Sequence, residues 1–323
     1  MKNKITKSLP REKTVLFALI FVVLIFTILD TSYLTIANIV DILKQATING
    51  IIAIGMTFAI ISGGIDLSVG CTFAITIVAV GELTVLGVPP LLAIIIGIGI
   101  GIALGYINGI LVTKLNLQPF IATLATMSAY RGVAYVVTGG WPVLGIPTSY
   151  RMLLGKKLFL NIPIYVFVFF VVAILAHVLL KKTRYGNYLV AVGSNEEAAK
   201  LSGLNVNRIK VVAYSITGAC AALAGMIMLA SLGTGEPASG TGYELDAIAA
   251  AAIGGTRMAG GRGTALGTVL GALFLAALKI GLIIVGVDTF WQYIVTGIII
   301  AIAAYLETMQ DKLTFSAAKA SVK

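Results

Sequence analysis

Few side chains in this sequence could do chemistry, and most of those lie inside apolar runs. Asp66 follows Ser62, Gly63, Gly64 and Ile65 and precedes Leu67 and Ser68. A carboxylate in such surroundings is costly unless it is paired, wetted or capping. Two roles are open to it: an N-cap that accepts amide hydrogens from the next apolar segment, or direct contact with a substrate. Glu244 and Asp246 can likewise cap or start a short apolar segment. Arg131 stands mid-run between Tyr130 and Gly132 and must face protein or water. Its donors suit a carbonyl, a carboxylate or a substrate hydroxyl. Glu82 and Lys279 fall near the ends of their runs, where each charge can reach back toward water. A salt bridge between them is the alternative.

Other chemistries find no footing. Cys71 and Cys220 both lie in apolar runs and read as small core residues, with no disulfide framework and no metal spacing. His177 has no carboxylate or cysteine near it and reads as a packing or interfacial residue. No Walker A lysine loop is present, so the chain has no phosphate grip of that kind. No nucleophile and base stand together, and no catalytic residue or metal site is expected.

The elements that must position these residues are membrane helices. Of 323 residues, 59% are hydrophobic and 11% charged, and the mean hydropathy is +1.02. Soluble domains carry about a quarter charged residues, so lipid is the expected solvent. The net charge of +10 suggests nucleic acid at first sight, but the basic residues sit in short segments between apolar runs, which is a topology signal. No nucleic-acid partner is expected. A membrane helix needs about 20 apolar residues. Candidate spans are 15–29, 45–61, 67–86, 91–112, 120–137, 162–180, 211–232, a short one at 244–256, 264–285 and 290–306, about ten in all. The stretch 36–44 is amphipathic and either lies at the interface or extends the second span. The short eighth candidate suits a re-entrant or broken helix. The basic start at 1–13 followed by an apolar run imitates a signal peptide. No small-residue cleavage site follows, so a retained first helix is expected.

Lys and Arg cluster in residues 1–13, in 181–210 and in the C-terminal 307–323. An even number of candidate spans separates each pair, so all three can face the cytoplasm. Arg151, Lys156 and Lys157 then fall outside, against the rule. Gly63-Gly64 with Gly70, and Gly260-Gly261 with Gly267, form a weak internal repeat whose two copies face the same side. Transporters are often built from such repeats.

Gly97, Gly101, Gly105 and Gly109 recur every fourth residue, as do Gly263, Gly267 and Gly271. That interval lets helix backbones approach closely. In the loop 181–210, Ser194 and Glu197 have capping-box spacing, Glu196 and Glu197 suit a helix N-terminus, and Gly203 suits its stop. The expected product is a short helix presenting Ala198, Ala199 and Ser202. Small side chains there leave room for a partner to close over them; an ordinary capped surface helix is the other reading.

Four strings, GGIDLSVG at 63–70, PFIATLATM at 119–127, NEEAAKLSG at 195–203 and GTGYELDAIAAAAIGG at 240–255, resemble the ribose-type sugar permeases of bacterial ABC importers in order and spacing. The resemblance implies an all-α integral membrane protein with the large ten-helix architecture of the vitamin B12-type (type II) importers, folded as one permease domain over 1–323. It implies a bacterial plasma (inner) membrane location with both termini cytoplasmic, and no cofactor in this chain. ATP and Mg would belong to a cytoplasmic ABC ATPase. The other implied partners are a second permease subunit, most simply a second copy, an extracytoplasmic sugar-binding protein, and membrane lipid. Ser194, Glu196, Glu197, Ala198, Ala199, Ser202 and Gly203 resemble the loop that docks into the ATPase, although the Ile-x-Leu-Pro ending used by another importer subclass is missing. Asp66, Arg131, Glu244 and Asp246 become candidates for the translocation path or its gate. Arg257 and Lys279 stand where close ribose permeases are expected to be uncharged, which weakens ribose itself as the substrate. An ion-coupled secondary transporter, titrating Asp66, Glu82 or Asp246, and a passive facilitator are the rivals.

Overall fold

The computed structural model describes residues 11–288, 290–299, 301–302 and 305. Among the described residues there is no β-strand; the only β pairing is two isolated bridges, Val143 with Gly235 and Lys157 with Pro163. The helices are α1 (Arg11–Leu29), α2 (Ile36–Ile61), α3 (Val69–Val85), α4 (Pro90–Thr113), α5 (Pro119–Thr138), α6 (Thr148–Gly155), α7 (Ile164–Lys182), α8 (Arg184–Ser194), α9 (Glu196–Leu201), α10 (Val206–Leu232), α11 (Tyr243–Ile253), α12 (Ala265–Ile284) and α13 (Phe290–Ile299). Seven of them, α1, α2, α4, α5, α7, α10 and α12, are long and apolar enough to cross a bilayer, and α3 and α13 are apolar but shorter. Residues 11–13 of the expected N-terminal tail already belong to α1. The rest of that tail and the tail at 307–323 lie outside the described residues.

The core is built around α2. Ile51 to Ile61 are, Thr57 apart, apolar on every side of the helix and fully or almost fully buried, as expected of a helix packed on all faces. Residues 36–44 continue α2 without a break; Thr35 caps its start by accepting the Asn38 amide. On the outside, Phe17, Phe21, Leu91, Ile95, Val136 and Ile174 stay exposed. An apolar exterior on helices of this length is covered by lipid. His177 is exposed on α7, while Cys71 and Cys220 are buried and free.

The first glycine row seats α4 on α10. A Cβ on Gly101 would stand 2.4 Å from the Gly218 carbonyl oxygen, and one on Gly105 would stand 2.2 Å from that of Tyr214. Gly97 meets Met226 and Gly109 meets Val211. Positions rising along α4 thus meet positions falling along α10, an antiparallel contact of backbone on backbone. Dispersion supplies the attraction there, and any side chain would part the helices. The second row is shorter than its spacing suggests. Gly267 and Gly271 lie 2.1 Å, counted from a built Cβ, from the carbonyl oxygens of Gly254 and Ala250, and so join α12 to α11. Gly263 precedes the α12 N-cap Thr264 and packs against Ile61 instead. It is a loop residue because Thr264, extended at φ −141°, starts the helix by accepting the Gly267 amide.

α11 has 11 residues, about 16 Å of helix, too short for a hydrocarbon core of about 30 Å. The non-helical stretch 233–242 leads into it. The two glycine segments of the internal repeat meet at one end of the molecule: a Cβ on Gly260 would stand 3.0 Å from Gly63 Cα, and the Gly261 amide donates to the Ile61 carbonyl at 3.0 Å.

Candidate coupling surface and buried polar cluster

The segment after α7 forms an elbow of two short helices, α8 and α9, before α10 begins. Its cap differs by one residue from the sequence expectation. Ser194 is the last residue of α8, with its hydroxyl turned back to donate to the Val190 carbonyl at 2.7 Å, so it does not stand at the extended position that caps α9. Asn195, extended at φ −159°, does so: its Oδ1 accepts the Ala198 amide at 2.9 Å. No Ser194–Glu197 capping box forms. Gly203 ends the helix as expected, at φ +83° with its amide on the Lys200 carbonyl. Glu196 pairs with Lys210 of α10, bracing the elbow against the helix it feeds.

The face of α9 also needs correction. Ala199 is buried, 5% exposed, in the main apolar core, so it anchors the helix rather than presenting it. Ala198, Ser202 and Glu197 face outward. Beside them Leu201 is 90% exposed, a large apolar side chain that composition gave no reason to single out. A pocket of about 420 Å³ lies between α8 and the start of α10, lined by Tyr185, Tyr188, Leu204, Asn205 and Arg208. The elbow joins the core where α8 ends. A Cβ on Gly193 would stand 1.7 Å from the Ile61 carbonyl oxygen and 2.6 Å from the Gly261 nitrogen. Only a residue without a side chain lets α8 touch the end of α2 and the 260–261 turn together.

The charged candidates divide into two places. Asp66 is fully buried, on the turn between α2 and α3. It is not the cap of α3, whose N-cap position is Ser68. Its Oδ1 accepts the Ser68 amide at 2.9 Å and the Ser68 hydroxyl at 2.7 Å, and both carboxylate oxygens accept from Asn108 Nδ2 at 3.2 Å. It thus closes the turn two residues early and ties it to α4, the local bonding to which short acidic side chains are suited.

Arg131, Glu244 and Asp246 gather around the entry to α11. Arg131 donates to the carbonyls of Pro237 and Ser239 at 2.7 and 2.8 Å. Of the roles open to it, the carbonyl one is what the structure shows. Irregular backbone between apolar helices needs such partners, and the one Nη1 amino group supplies both donors, while Nη2 donates to the Thr241 hydroxyl at 3.4 Å. Glu244 reaches back to the Gly242 amide at 3.2 Å, at the α11 N-terminus. Asp246 does no capping. Its Oδ2 takes Lys279 of α12 at 2.6 Å and Asn49 Nδ2 of α2 at 3.3 Å. Lys279 thus neither reaches back to water, as expected, nor takes Glu82, the alternative: its pair with Asp246 is 17% and 11% exposed at the two side chains. A cation at that depth takes the nearest anion, and the close α11–α12 packing brings Asp246 to it. Asn49 and Asn108 complete these networks, and each leaves its own Oδ1 buried without a partner. Neither stood out in the sequence, because a single amide in an apolar run carries no spacing signal. Among the described residues no group of three or more His, Cys, Asp or Glu could hold a metal.

Seven membrane-long helices, an elbow between two of them and one buried ion pair suit a membrane permease, and comparison with known proteins agrees. A family described as the permease component of branched-chain amino acid transport systems matches residues 38–304, and the chain belongs to it. More particularly, it is 47% identical over 290 residues to the ribose import permease protein of Bacillus subtilis, covering 90% of both chains. It is 41% identical over 311 residues to the ribose import permease protein of Escherichia coli K12, covering 95% of this chain and 96% of that one. The D-allose transport system permease protein of Escherichia coli K12 is 38% identical over 298 residues, 92% and 91% of the two chains. No solved structure matches.

Proposed function

We infer that this chain is the membrane-spanning subunit of an ATP-driven importer that carries a monosaccharide, ribose or a related pentose, hexose or polyol. The observation that carries the reading is the α8–α9 elbow, which presents Ala198, Leu201 and Ser202 outward while Ala199, Gly193 and the Glu196–Lys210 pair fix it to the core. Such an element suits receipt of a push from another subunit. The similarity to ribose and allose permeases over nine-tenths of the chain supports the sugar.

In this reading the chain spans the plasma (inner) membrane about ten times as one domain, in the manner of the vitamin B12-type importers, with both termini and the loop 181–210 in the cytoplasm. It pairs with a second copy, two ATPase units that hold ATP and Mg, and an external sugar-binding protein. ATP binding draws the ATPase units together and moves α9. Gly193 passes the movement to the end of α2 and the 260–261 turn, and the path beside α11 changes its opening. Arg131, Glu244 and Asp246 set the shape of that path, and Asp66 holds the α2–α3 turn on which α9's movement bears. The sugar-binding protein carries most of the selectivity.

Proteoliposomes test this. The chain alone should move no labelled ribose. Uptake should appear only when ATPase, ATP and binding protein are all supplied. Uptake by the chain alone, driven by an ion gradient or by passive equilibration, refutes the importer.

A further inference from the structure

The basic cluster that breaks the charge rule, Arg151 with Lys157, does not scatter over a loop. It converges with Lys44 on one pocket of about 420 Å³, whose wall also includes Thr148, Tyr165 and Ser231. Each cation arrives from a different element: Lys44 from α2, Arg151 from α6, Lys157 from the segment before α7. Gly233, at φ +74°, makes room for Arg151, since a Cβ there would meet its Nε at 2.8 Å. Lys44 is answered by Asp41 at 2.8 Å. No carboxylate among the described residues pairs with Arg151 or Lys157.

Depth points to the ligand. The pocket takes Pro163 and Tyr165 from the N-cap and first turn of α7 and Ala230 and Ser231 from the last turn of α10. Two membrane-long helices begin and end there, so the pocket sits at the boundary between hydrocarbon and water. Lys44 is 17 residues before Ile61 on the same helix, about 25 Å of rise, which separates this boundary from the elbow's by nearly the thickness of a hydrocarbon core. Met152 lines the pocket and is 53% exposed, and within three residues of Arg151 or Lys157 along the chain Leu153, Phe159 and Leu160 are 40%, 79% and 48% exposed. A site with a cationic floor, hydroxyls in its wall and apolar side chains around it matches a phosphodiester that carries acyl chains. A small soluble anion would use the floor and leave the apolar surroundings uncovered.

We propose that this pocket binds the headgroup phosphate of an anionic phospholipid, with Arg151 and Lys157 as its main cations and Phe159 and Met152 against its chains. The bound lipid ties α2, α6, α7 and α10 together at the boundary opposite the α8–α9 elbow.

The test uses the full chain with Trp141 and Trp291 replaced by Phe and Phe159→Trp as the sole tryptophan reporter. Dibrominated phosphatidylglycerol, titrated into phosphatidylcholine vesicles, should quench the reporter saturably at low mole fraction. Dibrominated phosphatidylcholine should quench only in proportion to its share of the bilayer. Arg151→Gln with Lys157→Gln should weaken the saturable phase about 30-fold, at about 1 kcal/mol for each surface cation. Quenching that rises in proportion to phosphatidylglycerol, and equally in the double variant, overturns the site. Displacement of the quencher by millimolar inorganic phosphate overturns the lipid in favour of a soluble anion. Unchanged lipid quenching with weakened capture of the sugar-binding protein overturns it in favour of a docking surface.

Discussion

Lys279→Met removes one half of the ion pair that α11 and α12 share in the interior. At 2.6 Å, two unit charges attract by about 6 kcal/mol at an effective dielectric constant of about 20. Desolvation of both groups offsets much of that, so the pair contributes little over two apolar side chains that fit. Breaking one half is different, because the remaining charge stays buried without its partner, at a cost of about 3–5 kcal/mol. Asp246 would retain only Asn49, at 3.3 Å. The expectation is therefore asymmetric. Lys279→Met and Asp246→Leu should each lower the apparent melting temperature of the purified chain in detergent by at least about 5 °C, at about 2–4 °C per kcal/mol for chains approaching this size. The double variant Asp246→Leu with Lys279→Met should recover most of the loss, and exchange of the two residues should recover part of it. Scanning fluorimetry on the parent and the four variants reads this directly. If the double variant melts at the sum of the single losses, the two residues do not act as a pair. Single variants that melt with the parent would show that the pair contributes nothing to the fold.

Gly105→Ala should prevent monodisperse purification, because its methyl would meet the Tyr214 carbonyl at 2.2 Å, whereas Gly99→Ala on the same helix, with nothing within 4 Å, should purify normally and gain up to about 1 kcal/mol from helix propensity. Asn195→Ala should cost about 1 kcal/mol locally, read as faster hydrogen exchange at Ala198 with the membrane helices unchanged. Leu201→Asp should abolish ATPase-dependent uptake in the reconstituted system while the chain purifies normally; Ala199→Asp should instead lower the yield of folded chain, since that side chain is buried. Arg131→Ala should strand the Pro237 and Ser239 carbonyls and expose 233–242 to protease in detergent, and Arg131→Lys should protect it only in part, since a single ammonium cannot also keep the second nitrogen's bond to the Thr241 hydroxyl.

Much of this protein is legible in the linear sequence because the controlling physics is local. An apolar run has its length and flanking charges wherever it ends up, so helices appear at every candidate span that falls in the described residues. Glycines at every fourth place fall on one side of a helix by geometry alone, so the close seat of α4 could be anticipated, though not that α10 would fill it. Gly203 stops α9 because a positive φ is a property of the residue. The tertiary structure decided everything that depends on which of two available partners a group meets. Asn195 rather than Ser194 caps α9, because Ser194 still belongs to α8 and the chain turns extended only at Asn195. Ala199 turns inward because the elbow lies against the core. Lys279 takes Asp246 rather than Glu82 because the α11–α12 glycine contact brings that carboxylate within 2.6 Å. Arg151 and Lys157 are exceptions to the charge rule in one loop, Lys44 lies far from them in sequence, and the three share one pocket only where three elements converge. Spacing along the chain sets what a segment can be. Which charge answers which across segments is set by packing, since electrostatic attraction in a low-dielectric interior falls on whatever the fold brings close.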